Sequence, residues 1–332
     1  MTELVVTNFN RNFTGVSATA AAVVAQQAQR YDMALVGHPL PGCPAPITLA
    51  EARARSGSGT IWHVRRNTEM RAALWTRDVL RKPIQIVFTS AAIRRHSALP
   101  RWLISRMDAV IATTEKAAEF VPNVRAVVPH GVDTTRFFPA EDRASAWAAL
   151  GYGGSAGIAT IGRIRPEKGT DRFVHAMLEL LPQHPGLTAL VIGKVAREHT
   201  GFADTLRRTI AAAGLDSRIL WPGEVGPDRM PELMRGLSLV MQLPTYEGFG
   251  MVPLEGIASG TPFVATDTGY YAAFSAQGRA GLVTQPDRAA EMATKALRNT
   301  DMRRSARDVA VHSFSIDREV DGIAAVYDET RR

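Results

Sequence analysis

The chain has 332 residues, 45% of them apolar, and carries 39 Lys+Arg against 32 Asp+Glu, a net charge of +7. That length accommodates two domains of ordinary size, each with a packed core. No apolar run reaches the roughly 18 residues of a membrane span. The single cysteine, Cys43, excludes an internal disulfide and a cysteine-based zinc site and fits a reducing cytoplasm.

In chain order the elements read as strand, turn and helix, repeated. Met1–Thr7 reads as the start of a first strand rather than a signal peptide. Runs suited to buried strands are Leu4–Thr7, Ala34–Val36, Ile84–Thr89 and Ala109–Ala112, then Gly157–Ile161, Ala189–Ile192, Leu239–Gln242 and Phe263–Ala265. Segments with helical spacing lie between them, among them Val16–Gln29, Asp171–Leu181 and Thr205–Ala213. This alternation predicts an α/β protein with parallel sheets. A boundary is expected near residues 138–156, where Phe138-Pro139-Ala140 and Gly151-Tyr152-Gly153-Gly154 interrupt the pattern. The expected domains are 1–140 and 155–312, two doubly wound halves facing each other across a cleft, with ligands at the carboxyl ends of the strands. Ser315–Tyr327 carries Ile316, Val320, Ile323, Ala324 and Tyr327 on one face and reads as an amphipathic helix. Residues 315–330 are expected to pack back on the first domain.

The positive charge is uneven. Residues 1–139 hold 17 basic and 9 acidic side chains, a balance of +8; the remainder holds 22 and 23, a balance of −1. Much of the excess lies at Arg65, Arg66, Arg71, Arg77, Arg81, Lys82, Arg94, Arg95, Arg101 and Arg106. A solvated face is the ordinary meaning of such a run. The sharper reading is an anionic acceptor or an acidic membrane surface. No nucleic-acid-binding motif accompanies it.

Two segments carry chemistry. In Gly162-Arg163-Ile164-Arg165-Pro166-Glu167-Lys168-Gly169, cations follow directly after a strand. Arg163 can grip phosphate oxygens with two nitrogens, and Lys168 adds a compact charge, as a diphosphate requires. In Pro244–Glu255, Glu247 and Glu255 stand eight residues apart around Gly248-Phe249-Gly250. Pro253 suits the first helical position, which makes Val252 the cap and puts Glu255 in the first turn, with Glu247 in the loop ahead. Such a helix start offers unpaired N–H groups and partial positive charge.

Pro129-His130-Gly131-Val132-Asp133, the Gly162–Gly169 segment, Val191-Ile192-Gly193 and Glu247–Glu255 occur in an order that resembles the large retaining glycosyltransferase family called family 4, of GT-B fold. The resemblance runs from about residue 4 to residue 327. Asn8–Val16, Trp62–Met70 and Phe88-Thr89-Ser90-Ala91-Ala92 are also similar to bacterial lipopolysaccharide core mannosyltransferases.

The resemblance implies roles. Arg163 and Lys168 hold the donor diphosphate with Gly162, and Glu255 accepts hydrogen bonds from the ribose. Glu247 and the backbone of Gly248, Phe249 and Gly250 bind the transferred sugar, with Met251 and Val252 also in the donor site. Gly15 approaches the phosphates, and Gly193 and Val225 flank the base. His63, Arg65 and Arg66 fall on the acceptor side. His130 serves its loop. The donor is expected to be GDP-mannose or another nucleotide-diphosphate sugar, and the acceptor an anionic glycolipid or saccharide, with no metal and no separate cofactor. The protein is expected in the cytoplasm, in peripheral contact with the inner membrane. Relatives often carry a histidine after the strand equivalent to Ile84–Thr89; here that position reads Ser90-Ala91, leaving His63 or His96 as candidates. Rival readings are a UDP-sugar donor, a nucleotide-sugar epimerase or phosphorylase of the same fold, and a non-catalytic binding protein. A dehydrogenase is disfavoured because no Gly-x-Gly-x-x-Gly follows the first strand.

Overall fold

The computed structural model describes residues 2–12 and 14–332; Met1, and Phe13 in the Asn8–Val16 string, lie outside the described residues. The chain divides into two compact units: one runs to Gly131 and is completed by Ser315–Arg332, the other is Val132–Phe314.

The first unit is built on β1 (Leu4–Asn8), β2 (Met33–Gly37), β3 (Thr60–Val64), β4 (Ile84–Ser90), β5 (Ala109–Ala112) and β6 (Val124–Val127). They form one sheet in the order β2-β1-β3-β4-β5-β6, with every pair parallel. A parallel strand covered on both faces has no polar side, which is why these segments are almost continuous Val, Ile, Leu and Ala. One face, with Leu4, Val6, Ile61, Val87 and Ile111, packs against Val24, Val320 and Ile323 of the helices Gly15–Gln27 and Ile316–Arg331. The other, with Val5, Trp62, Ile86, Phe88 and Val110, packs against Met70, Leu103 and Ile104. Gln27 Nε2 donates to the Tyr327 hydroxyl at 3.1 Å, tying the two helices of the first layer together.

The second unit repeats the plan with β7 (Ala156–Ile161), β8 (Leu187–Ile192), β9 (Ile219–Gly223), β10 (Leu239–Gln242), β11 (Phe263–Ala265) and β12 (Gly281–Val283). Their order is β12-β11-β10-β7-β8-β9, again all parallel. In each unit the chain leaves a central strand in opposite directions. Doing so opens a crevice beyond the strand ends, between β1 and β3 in the first unit and between β7 and β10 in the second.

The unit boundary differs from the expected one. Residues 138–156 lie inside the second unit, where the helix Arg143–Ala149 is capped by Asp142, whose carboxylate accepts from the N–H groups of Ala144 and Ser145. This helix sinks Trp147 into the second core, against Ile161, Leu233 and Val240 among others. The glycines that follow make a turn into β7, not a linker. Four strands have no run named for them in the sequence: β6, β9 and β12, which are sheet edges, and β3, which is central but carries Thr60 and His63. In the edge strands, partly exposed residues, with Arg125 and Pro222 among them, break the apolar run that marks a central strand.

Candidate functional site

The crevice of the second unit is formed by the loops after β7 and β10. Gly169 ends the first loop with φ 70°, and a Cβ there would stand 1.9 Å from the Leu243 carbonyl oxygen. Glycine therefore lets the loop after β7 lie directly against the end of β10. Thr245 N–H donates to the Glu167 carbonyl at 3.0 Å and seals the two loops. Lys168 Nζ then sits 2.6 Å from Glu247 Oε2, their side chains 23% and 21% exposed. The other carboxylate oxygen, Oε1, accepts from Gly248 N–H at 3.0 Å. Arg163, on the same loop, is exposed and has no ion pair among the described residues.

The helix after β10 spans Met251–Ala258 and is capped by Gly250 at φ 92°, not by Val252. A Cβ on Gly250 would meet the Tyr271 ring at 2.2 Å, so the left-handed turn falls there, two residues ahead of where Pro253 points. Pro253 is the third helical residue, where its missing N–H still costs nothing. Met251 and Val252 form the start of the first turn, and Glu255 falls in the second turn rather than the first. The Glu255 carboxylate accepts no hydrogen bond among the described residues. Burial pushes it up to about 7, and nearby Arg136 pulls in the opposite direction. The Phe249 ring is buried and stacked on Tyr270 at 5.3 Å, which leaves only its backbone for a ligand.

Gly193 and Val225 open on two hollows that share Glu224. The first, of about 280 Å³, is lined by Gly193, Lys194, Arg207 and Trp221 among others. The Trp221 indole N–H is buried there without a hydrogen-bond partner among the described residues, and the Arg207 guanidinium lies 4.8 Å from its ring centre. Lys194, Trp221 and Glu224 are additions to the sequence reading. Trp221 lies on an edge strand that carries no strand signal, and Glu224 follows it.

In the first unit the structure separates the three acceptor-side candidates. His63 is fully buried. Its Nδ1 meets the Tyr327 hydroxyl at 2.5 Å and its Nε2 the Thr89 hydroxyl at 2.7 Å. Burial, and secondarily Arg65, hold its pKa well below the ordinary histidine value, so the ring is neutral and both nitrogens are engaged. Arg66 is a clamp: it bonds Glu69 at 3.0 Å, Asn8 at 3.1 Å and Ser17 at 3.1 Å. Glu69, fully buried, also accepts from the backbone N–H of Phe9 and Arg65, and so fixes both loops of the β1/β3 crevice. Of the three, only Arg65 keeps a buried nitrogen, Nη1, without a hydrogen-bond partner among the described residues. Burial lowers its pKa, with Tyr327, Glu69 and Glu319 opposing.

Gly15 begins the helix Gly15–Gln27 with open space where a Cβ would project. His96 lies in the loop after β4, its Nε2 buried and without a hydrogen-bond partner among the described residues. His130 meets Glu319 at 2.7 Å, and the same carboxylate accepts from Gly131 N–H, so this pair shapes its loop.

Two doubly wound units, the second with a cation and a carboxylate facing at its switch point, define the architecture of GT-B glycosyltransferases. The fold is shared with Anabaena HepE, solved in complex with UDP and glucose: TM-score 0.82 at 16% identity over 99% of this chain and all of that one. The sequence profile described as "Glycosyl transferases group 1" matches residues 149–310. The chain is 39% identical to the lipopolysaccharide core biosynthesis mannosyltransferase LpcC of Rhizobium leguminosarum bv. viciae, over 98% of this chain and 96% of that protein. It is 37% identical to the lipopolysaccharide core biosynthesis mannosyltransferase LpsB of Rhizobium meliloti (strain 1021), over 99% and 98%. The solved C-terminal domain of the group 1 protein LpcC from Francisella tularensis matches 56% of this chain at 29% identity and TM-score 0.53. The chain belongs to the group 1 glycosyl transferase family, and the protein is a glycosyltransferase.

Proposed function

We propose that the protein transfers mannose from GDP-mannose, with retention at the anomeric carbon, to the core saccharide of a lipopolysaccharide. The observation that carries this reading is the Lys168–Glu247 pair at the β7/β10 crevice, with Arg163 exposed on the same loop as Lys168 and without an ion pair among the described residues. An ion pair in a half-buried crevice keeps each charge affordable until a ligand separates them. The donor diphosphate takes Lys168 and Arg163, and the sugar hydroxyls take Glu247. The ribose hydroxyls donate to Glu255. The names of the relatives from Rhizobium support mannose and the core acceptor.

In the proposed reaction the bond between the anomeric carbon and the phosphate oxygen breaks and its electron pair leaves with the diphosphate. The acceptor oxygen bonds to that carbon from the same face, and its proton passes to the departing phosphate oxygen. Lys168, Arg163 and the N–H groups at Met251 and Val252 meet the charge that develops on the leaving group, which needs no additional cofactor. On the acceptor side Arg65 offers its unpartnered nitrogen to a carboxylate or phosphate of the core. Among the described residues no helix is long and apolar enough to cross a membrane. The proposed location is the cytoplasmic face of the inner membrane, where the acceptor is displayed.

The test is a panel of GDP-, UDP- and ADP-sugars in thermal denaturation, followed by transfer of radiolabelled mannose to an isolated core acceptor. Stabilisation by GDP-mannose together with labelled product is expected. Stabilisation by UDP-sugars alone overturns the GDP-mannose assignment.

A further inference from the structure

Eight large apolar side chains stand exposed on the described residues, and five of them belong to one stretch of the first unit: Trp75, Val79, Leu80, Leu99 and Trp102. Trp75 and Val79 lie one turn apart on the π-helical turn Trp75–Val79, which continues the helix Asn67–Leu74. Leu99 and Trp102 lie one turn apart on the helix Ala98–Ser105. Arg77 holds the two segments side by side. Its guanidinium bonds Asp78 at 2.8 Å, Asp108 at 2.8 Å and the Arg106 carbonyl at 3.0 Å. The two tryptophans are 54% and 58% exposed, whereas Trp62 and Trp147 are fully buried.

The charge around this patch is of one sign. From Arg65 to Asp108 there are 10 basic and 3 acidic residues, a balance of +7, equal to that of the whole chain. All three acids are committed to arginine: Glu69 to Arg66, Asp78 and Asp108 to Arg77. Arg71, Arg81 and Arg101 are exposed beside the apolar residues with no acid opposite them among the described residues. Aromatic rings with a polar edge, aliphatic neighbours and flanking cations suit the headgroup layer of an anionic membrane. A second copy of this chain fits less well, because a two-fold interface would bring the same cations face to face.

We propose that this face docks the protein on an anionic bilayer. Trp75 and Trp102 sit at headgroup depth, Val79, Leu80 and Leu99 make apolar contact, and Arg71, Arg81 and Arg101 meet lipid phosphates. The inference rests on the reading that the acceptor is carried at a membrane surface, but it is measured without acceptor.

Full-length protein is floated with vesicles of phosphatidylcholine alone and of phosphatidylcholine with one quarter phosphatidylglycerol. Binding to the anionic vesicles, released by salt, is expected. The double variant Trp75→Ser/Trp102→Ser should bind at least about tenfold more weakly, and Arg71→Ser/Arg101→Ser about thirtyfold more weakly at low salt. Brominated lipid should quench part of the wild-type tryptophan emission and none of it in the tryptophan variant. Equal binding by wild type and both variants, or no binding and no quenching, overturns the proposal. So does lipid-free self-association, in sedimentation, that the tryptophan substitutions abolish. Stabilisation by GDP-mannose, read on the same samples, separates the two readings. Donor binding without vesicle binding removes this surface only, and vesicle binding without donor binding removes the donor assignment only.

Discussion

Replacing Glu255 by glutamine is expected to stabilise the fold above neutral pH while weakening donor binding. Burial raises the Glu255 carboxyl from its ordinary 4.5 to about 7. The folded state therefore holds this proton more tightly than the unfolded chain. Below the unfolded value both states are protonated and the residue is neutral to stability. As pH rises from there to 7 the unfolded chain ionises first, and stability falls. Above 7 the fold carries a poorly solvated carboxylate, at a cost reaching about 3 kcal/mol for a shift of this size. Glutamine removes that cost. Urea unfolding near pH 4 should find wild type and Glu255→Gln alike, and near pH 8.5 the variant more stable by up to this amount. The donor arm runs the other way. Hydroxyls donate to the ionised form, so wild-type affinity for GDP-mannose should rise about tenfold from pH 6 to 8 as the ionised fraction goes from about a tenth to nine tenths. GDP-mannose has no ionisation of its own in that range, and the variant should be weaker and flat. A variant no more stable at high pH, or a pH-independent wild-type affinity, refutes the reasoning.

Lys168→Ala should lower transfer by at least about a hundredfold with little change in the thermal midpoint, since it removes a cation aimed at developing charge; wild-type rates in initial-velocity assays would contradict that role. Gly169→Val should destabilise by more than about 2 kcal/mol in urea, because it places a branched side chain at positive φ against the Leu243 carbonyl. Arg65→Ala should raise KM for an anionic acceptor about tenfold or more while leaving KM for the donor unchanged; equal change in both constants would mean a structural role.

The fold was legible because central parallel strands are apolar on both faces, so Ile84–Ser90 and Ala109–Ala112 announce themselves without homologues. The edge strands Val124–Val127 and Ile219–Gly223 were not, since half-exposed residues write no continuous run. The donor segments were legible because loop chemistry there is local: Arg163 and Lys168 stand five residues apart, and Glu247 and Glu255 eight. The first unit's crevice was opaque because its partners are remote in sequence. His63 meets a tyrosine 264 residues on, and Glu69 gathers N–H groups from two loops. Which of three neighbouring basic or titratable residues stays unpaired depends on those distant contacts. The helix cap moved from Val252 to Gly250 because a left-handed glycine outweighs a proline signal three residues later.

The return of the helix Ile316–Arg331 to the first unit has a consequence for synthesis. Tyr327 and Glu319 supply the partners of His63 and His130. The amino-terminal unit therefore waits on the ribosome for residues made after the whole of the second unit. The second unit is contiguous and is whole once Phe314 has emerged. Along this chain the part that begins first is finished second, and its buried His63 and His130 find their partners only after the second unit is whole.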